Sequence, residues 1–158
     1  MPAASEQQVT EMAIASQLSQ LGLVRDKLQD IGHELGVPDR RLSELLVAVD
    51  ELLSNVVKYA WSEETEVDPA RRQIAVRIVS GPAQIEVEFV DAGRAFDPLA
   101  TPAPQPRVAG RRPRPGGVGL QILKKLVDEI YYERIDGLNR TRMIKRYGHL
   151  DGEAESEP

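Results

Sequence analysis

Apolar residues at positions 42, 45, 46, 49, 53, 56 and 60 make one continuous stripe of helical period. A helix of that length, apolar on one side only, needs a second layer to cover it. Asp39 is the expected N-cap. A similar pattern precedes it: Leu18, Leu21, Val24, Leu28, Ile31 and Leu35, stopped by Gly36 with Pro38 beyond. From Val9 to Ser16, Met12 and Ile14 alternate with Glu11 and Ala13, a weak strand pattern. Ile74, Val76 and Ile78, then Ile85, Val87 and Phe89, alternate with Ala75, Arg77, Glu86 and Glu88. With Ser80-Gly81-Pro82 between them, they predict a hairpin with one polar face. Leu120, Leu123, Leu126 and Val127 mark a third helix behind Gly116-Gly117-Val118-Gly119. A second hairpin is expected from Ile130 to Ile135 and Arg142 to Tyr147, around Asp136-Gly137-Leu138-Asn139.

The totals narrow the function classes. A chain of 158 residues favours one domain, large enough to fold without disulfides, and it has no cysteine. A net charge of -5 argues against general nucleic-acid binding, and two histidines offer no basis for a histidine metal site. The longest apolar runs, such as positions 45–49, are too short to span a bilayer, and the N-terminus lacks the basic and apolar regions of a signal peptide, so a cytoplasmic location is expected. Residues 1–8 read as a flexible N-terminus, 9–148 as the folded domain and 149–158 as a disordered acidic tail. Residues 62–71 read as an acidic loop. Residues 98–115 hold six of the eleven prolines together with Arg107, Arg111, Arg112 and Arg114, and read as a functional lid.

Three short constellations carry possible chemistry. Glu51 and Asn55 are four residues apart, so they share a helix face at the rim of the apolar stripe, with Lys58 and Tyr59 one turn on. Asp91-Ala-Gly93 ends a strand with a carboxylate and a glycine. Gly116-Gly117-Val118-Gly119-Leu120 opens a helix, where phosphate oxygens can approach backbone N–H groups and the positive end of the helix dipole. Each has an ordinary reading alone: a solvated polar pair, a plain turn, a flexible loop. All three in this order are harder to obtain by chance.

In that order they resemble the GHKL (Bergerat-fold) ATPase superfamily, and within it the serine-kinase anti-sigma factors of bacterial partner-switching systems. The matching segments are Glu51-Leu-Leu-Ser-Asn55-Val-Val-Lys58-Tyr59-Ala60, Asp91-Ala-Gly93-Arg-Ala-Phe96-Asp97-Pro98, Gly117-Val118-Gly119-Leu120, Asp128-Glu129-Ile-Tyr-Tyr and Gly137-Leu-Asn139-x-x-x-Met143-Ile-Lys145. The similarity covers nearly the whole chain, roughly Val9 to Tyr147. Pattern and resemblance together imply a two-layer α/β sandwich: a mixed, mostly antiparallel sheet covered on one face by helices. The resemblance further implies ATP and Mg²⁺ as cofactors, with Asn55 as the metal's side-chain ligand and Glu51 as general base. Asp91 would accept a hydrogen bond from the adenine amine, and Gly93 would let the ring lie against the backbone. Gly117, Val118, Gly119 and Leu120 would border the phosphates, and Lys58 or a lid arginine would add a point charge. Implied partners are a sigma factor and a small anti-sigma-factor antagonist phosphorylated on serine, with homodimers common among relatives.

The chain departs from the pattern at two places. Ala95 stands where many superfamily members have a second glycine, and Pro115 stands where related kinases can have an arginine. Three other functions therefore stand beside the kinase: an ATP-binding partner-switching module without catalysis, a detached histidine-kinase catalytic domain, and a scaffold that binds no nucleotide. The histidine-kinase reading is the weaker for lacking a preceding helix pair with a phosphoacceptor histidine; Gly32-His33-Glu34 gives only a faint likeness.

Overall fold

The structure is a computed structural model that describes residues 6–61, 72–100 and 119–148. Among these residues five strands form one sheet in the order β1-β2-β3-β5-β4: β1 Gln8–Ala15, β2 Gln73–Ser80, β3 Gln84–Asp91, β4 Glu129–Ile135 and β5 Leu138–Arg146. Three helices, α1 Leu21–Leu35, α2 Asp39–Tyr59 and α3 Gly119–Leu126, form the second layer, with α2 packed against both α1 and α3. The two-layer α/β arrangement is therefore as expected. Every pairing of the described strands is antiparallel. The sheet is thus antiparallel rather than mixed among the described strands: each strand runs opposite to its neighbours, and no parallel ladder forms.

The core sits between sheet and helices because each element alternates at its own period. On β2 and β3, Ile74, Val76, Ile78, Ile85, Val87 and Phe89 all point inward and are buried. From α2 they meet Leu45, Ala48, Leu52, Leu53 and Val56, from α1 Val24 and Leu28. Each such large side chain stabilises the fold by about 1.5–3 kcal/mol relative to exposure. The other sheet face carries ion pairs: Arg77 with Glu11, Arg140 with Glu88 and Glu133, and Arg142 with Glu86. That alternation fixes the register, since a one-residue slip would bury the charges.

Three local expectations change. Asp39 is the first residue of α2, not its cap; Pro38 holds the cap position without a side-chain bond. Its carbonyl accepts from Leu42 N, and Asp39 instead places its charge in the first turn, where the helix dipole favours it. Leu18 belongs to a separate 3-10 turn, Leu18–Gln20, and is exposed, so the α1 stripe begins at Leu21. The last hairpin turns on Asp136 and Gly137 alone, with φ of 53° and 76°. Two residues at positive φ fit the right-handed twist of the flanking strands. Leu138 and Asn139 are therefore strand residues, not turn residues. The loop expected at 62–71, most of the lid at 98–115, residues 1–5 and the tail from 149 lie outside the described residues.

Candidate functional site

Asp91 is the last residue of β3 and points into the space between sheet and helices, where it is 5% exposed. Burial raises its pKa; bonds from Asn139 and from Gly93 N, and the charge of Arg134, act the other way. Both bonds reach the same carboxylate oxygen: Gly93 N and Asn139 Nδ2 each donate to Oδ1 at 3.0 Å. Oδ2 has no hydrogen-bond partner among the described residues.

Gly93 carries the chain across the end of α2. A Cβ there would lie 2.5 Å from Ala60 Cβ and 2.7 Å from Ala60 O, so only glycine permits this approach. The next residue completes the join: Arg94 N donates to Ala60 O at 2.8 Å, and Arg94 Nε donates to Tyr59 O at 2.9 Å. The rings of Tyr59 and Phe96 lie 6.5 Å apart between centroids. The Asp91–Phe96 segment is thus fastened to the C-terminal end of the helix that bears Glu51 and Asn55.

Asn55 shares a helix face with Glu51 and Tyr59, at spacings of four. It is 7% exposed, the only polar residue of α2 that is fully buried. Its Nδ2 donates to Glu51 O at 2.6 Å, which turns Oδ1 away from the helix backbone; that oxygen has no partner among the described residues. Glu51 is half-buried and Lys58 is exposed in the last turn. An unused amide oxygen is a suitable ligand for a hard cation that keeps several waters. Among the described residues no group of three or more acidic or histidine side chains could hold a metal ion. A cation here would therefore rely on ligands supplied by phosphate and water.

Gly119 and Leu120 open α3, which packs beside α2, whereas Gly117 and Val118 lie outside the described residues. The far end of α3 is held by Lys145, which is buried on β5. Its Nζ donates to Leu126 O and to Glu44 Oε2, each at 2.5 Å, and so joins α3 to α2. A cleft of about 440 Å³ near that end, bordered by Leu99, Lys124, Val127 and Tyr131, involves none of the residues expected at the site.

Sequence reasoning gave no role to the side chains that hold the Asp91 corner. Asn139, Tyr132 and Arg134 converge there from β4 and β5. Reading Asp136-Gly137 as a two-residue turn would have placed Asn139 in a strand, where it pairs directly with Asp91.

Comparison with known proteins bears on the family and the fold. The model of the "Histidine kinase-like ATPase domain" family matches residues 14–145. A Bacillus subtilis protein named serine-protein kinase RsbW is 26% identical over 149 residues, covering 90% of this chain and 86% of its own length. A Bordetella bronchiseptica protein named serine/threonine-protein kinase BtrW is 28% identical, covering 60% of this chain and 63% of its own. The crystal structure of the RsbU and RsbW domains of a Mycobacterium tuberculosis protein superposes with a TM-score of 0.57 at 15% identity, over 87% of this chain and 32% of that one, a likeness of fold. With its sheet, its helix layer and its three motifs in order, the chain belongs to the histidine kinase-like ATPase domain family.

Proposed function

We propose that the chain binds Mg-ATP, phosphorylates a small anti-sigma-factor antagonist on serine, and sequesters a sigma factor. The observation that carries the reading is the Asp91–Gly93 corner, packed on the end of the Glu51–Asn55 helix with one carboxylate oxygen unused. In this reading Asp91 Oδ2 accepts from the 6-amino group of adenine, and the Gly93 backbone lies beside the ring. Asn55 Oδ1 is the protein's ligand to Mg²⁺, which when bound would offset phosphate charge. Gly117, Val118, Gly119 and Leu120 bring backbone N–H groups toward the phosphates, with Lys58 as an added cation. Residues 98–115 act as the lid.

Glu51 serves as general base. Its carboxylate takes the proton of the substrate serine hydroxyl as that oxygen bonds to the γ-phosphorus. The bond from the γ-phosphorus to the β–γ bridging oxygen breaks, and ADP leaves. Support for the kinase assignment comes from distant relatives named serine-protein kinases. The edge strand β1, with α1, is the proposed homodimer surface. The cytoplasm is the proposed place of action; no helix among the described residues is long and apolar enough to cross a membrane.

A second reading, nucleotide-dependent binding without phosphate transfer, is favoured by Ala95 and Pro115 at family glycine and arginine positions. Incubation with Mg-ATP and candidate antagonist domains, read by mass spectrometry for phosphoserine, separates the two. The kinase reading expects phosphoserine, and a rate about 100-fold or more lower for Glu51→Ala. ATP binding without phosphoserine would select the second reading.

A further inference from the structure

We infer that Asn139 is a positioning residue that fixes the angle at which the Asp91 carboxylate meets the base, and so sets selectivity for the 6-amino group of adenine. This rests on the nucleotide reading above and goes beyond it, to a side chain that does not itself touch the base.

Asn139 is 2% exposed, and its amide orientation is set by its neighbours. On the nitrogen side lie only acceptors: Asp91 Oδ1 at 3.0 Å, Arg94 O at 2.7 Å and Gly93 O at 3.5 Å. On the oxygen side two groups that can only donate, Arg134 Nη1 at 2.9 Å and Phe96 N at 3.3 Å, meet Oδ1, together with the Tyr132 hydroxyl at 2.6 Å. A flipped amide would oppose every one of these contacts except that of Tyr132, whose hydroxyl can also accept.

Two consequences follow for Asp91. With Gly93 N and Asn139 Nδ2 both on Oδ1, the carboxylate cannot rotate without breaking two buried bonds. A carboxylate is planar, so fixing Oδ1 fixes the direction of Oδ2. The same amide nitrogen also bonds the carbonyl of Arg94, and Arg134 Nη1 bonds the carbonyl of Gly93 at 3.0 Å. One side chain therefore sets both the carboxylate and the loop on which the ring would rest. Without it, Oδ1 keeps a single donor, and the carboxylate can turn away from the angle that suits the amine.

The test compares ATP with inosine triphosphate, which carries a 6-oxo group where ATP has its amine. Dissociation constants for both are measured with Mg²⁺ on the full chain, for the wild type, Asn139→Ala and Tyr132→Phe. The wild type should prefer ATP. In Asn139→Ala that preference should shrink about tenfold, through weaker ATP binding with inosine triphosphate little changed. Tyr132→Phe removes one hydroxyl and should shift the ratio the same way by less; it decides the matter if Asn139→Ala does not fold. A purely structural role would weaken both nucleotides in parallel, and an unchanged ratio in both variants would overturn this inference alone. Absence of ATP binding by the wild type would overturn the nucleotide reading and this inference with it.

Discussion

The two ends of the candidate site are built in opposite ways. At the strand end, Asn139 uses both its amide groups on protein partners, and Asp91 keeps one oxygen in reserve. At the helix end, Asn55 is held by one bond to its own helix, and Glu51 accepts at its side chain from no donor among the described residues. In the proposed reading the strand end is the recognition corner, suited to a rigid planar base. In the same reading the helix end holds the polar atoms that would meet a metal, phosphate or hydroxyl arriving from outside. Selectivity should therefore depend on the network around Asp91, and phosphate chemistry on α2.

The largest effect expected is at Asp91. Asp91→Asn should raise the dissociation constant for ATP by about 30-fold or more, since it replaces a charged acceptor. Its effect on folding should have the opposite sign. Burial holds the Asp91 pKa above its ordinary value, so between the unfolded and folded pKa values the native state binds the extra proton. Stability falls as pH rises through that window, and the ionised group remains costly above it. Asp91→Asn should thus leave the unfolding temperature at neutral pH unchanged or higher. ATP affinity in the wild type should weaken as pH falls through the raised pKa, because the neutral acid is the poorer acceptor. A calorimetric pH series checks both signs.

Next in size is Gly93→Ala, which drives a methyl against the Ala60 Cβ and carbonyl. The loop must move off α2, at a cost of about 1–3 kcal/mol in a denaturant titration, and ATP binding should fall with it. The smallest is Glu44→Gln on α2. It leaves the Lys145 ammonium buried without its carboxylate, and about 1–2 kcal/mol should be lost, less than for a fully enclosed pair because Glu44 keeps contact with water. The hydrogen bond from Lys145 lowers the Glu44 pKa. Its contribution is therefore present above the unfolded pKa and lost as pH falls through the lowered one, the reverse of Asp91. Adenine selectivity should survive in Glu44→Gln.

Legibility in the sequence followed the range of the interactions. The α2 stripe and the β2–β3 alternation depend on neighbours a few residues apart, and both elements formed where the pattern put them. The Glu51/Asn55 face was legible for the same reason, and so was Asp91 at a strand end. Asn139 matched a motif, yet its work depends on a partner 48 residues away and on a turn two residues shorter than the sequence suggested. Lys145 is a residue type that ordinarily faces water, and only the meeting of β5, α2 and α3 explains its burial. Ala60 looked like one more stripe residue, and nothing local marks it as the seat of Gly93.

The division between the two ends can be measured by titrating adenosine and Mg-ATP against the wild type, Asp91→Asn and Asn55→Ala. If one site joins both ends, Asp91→Asn weakens both ligands, while Asn55→Ala weakens Mg-ATP about tenfold and leaves adenosine unchanged. Mg-ATP binding that is indifferent to both substitutions would contradict a shared site.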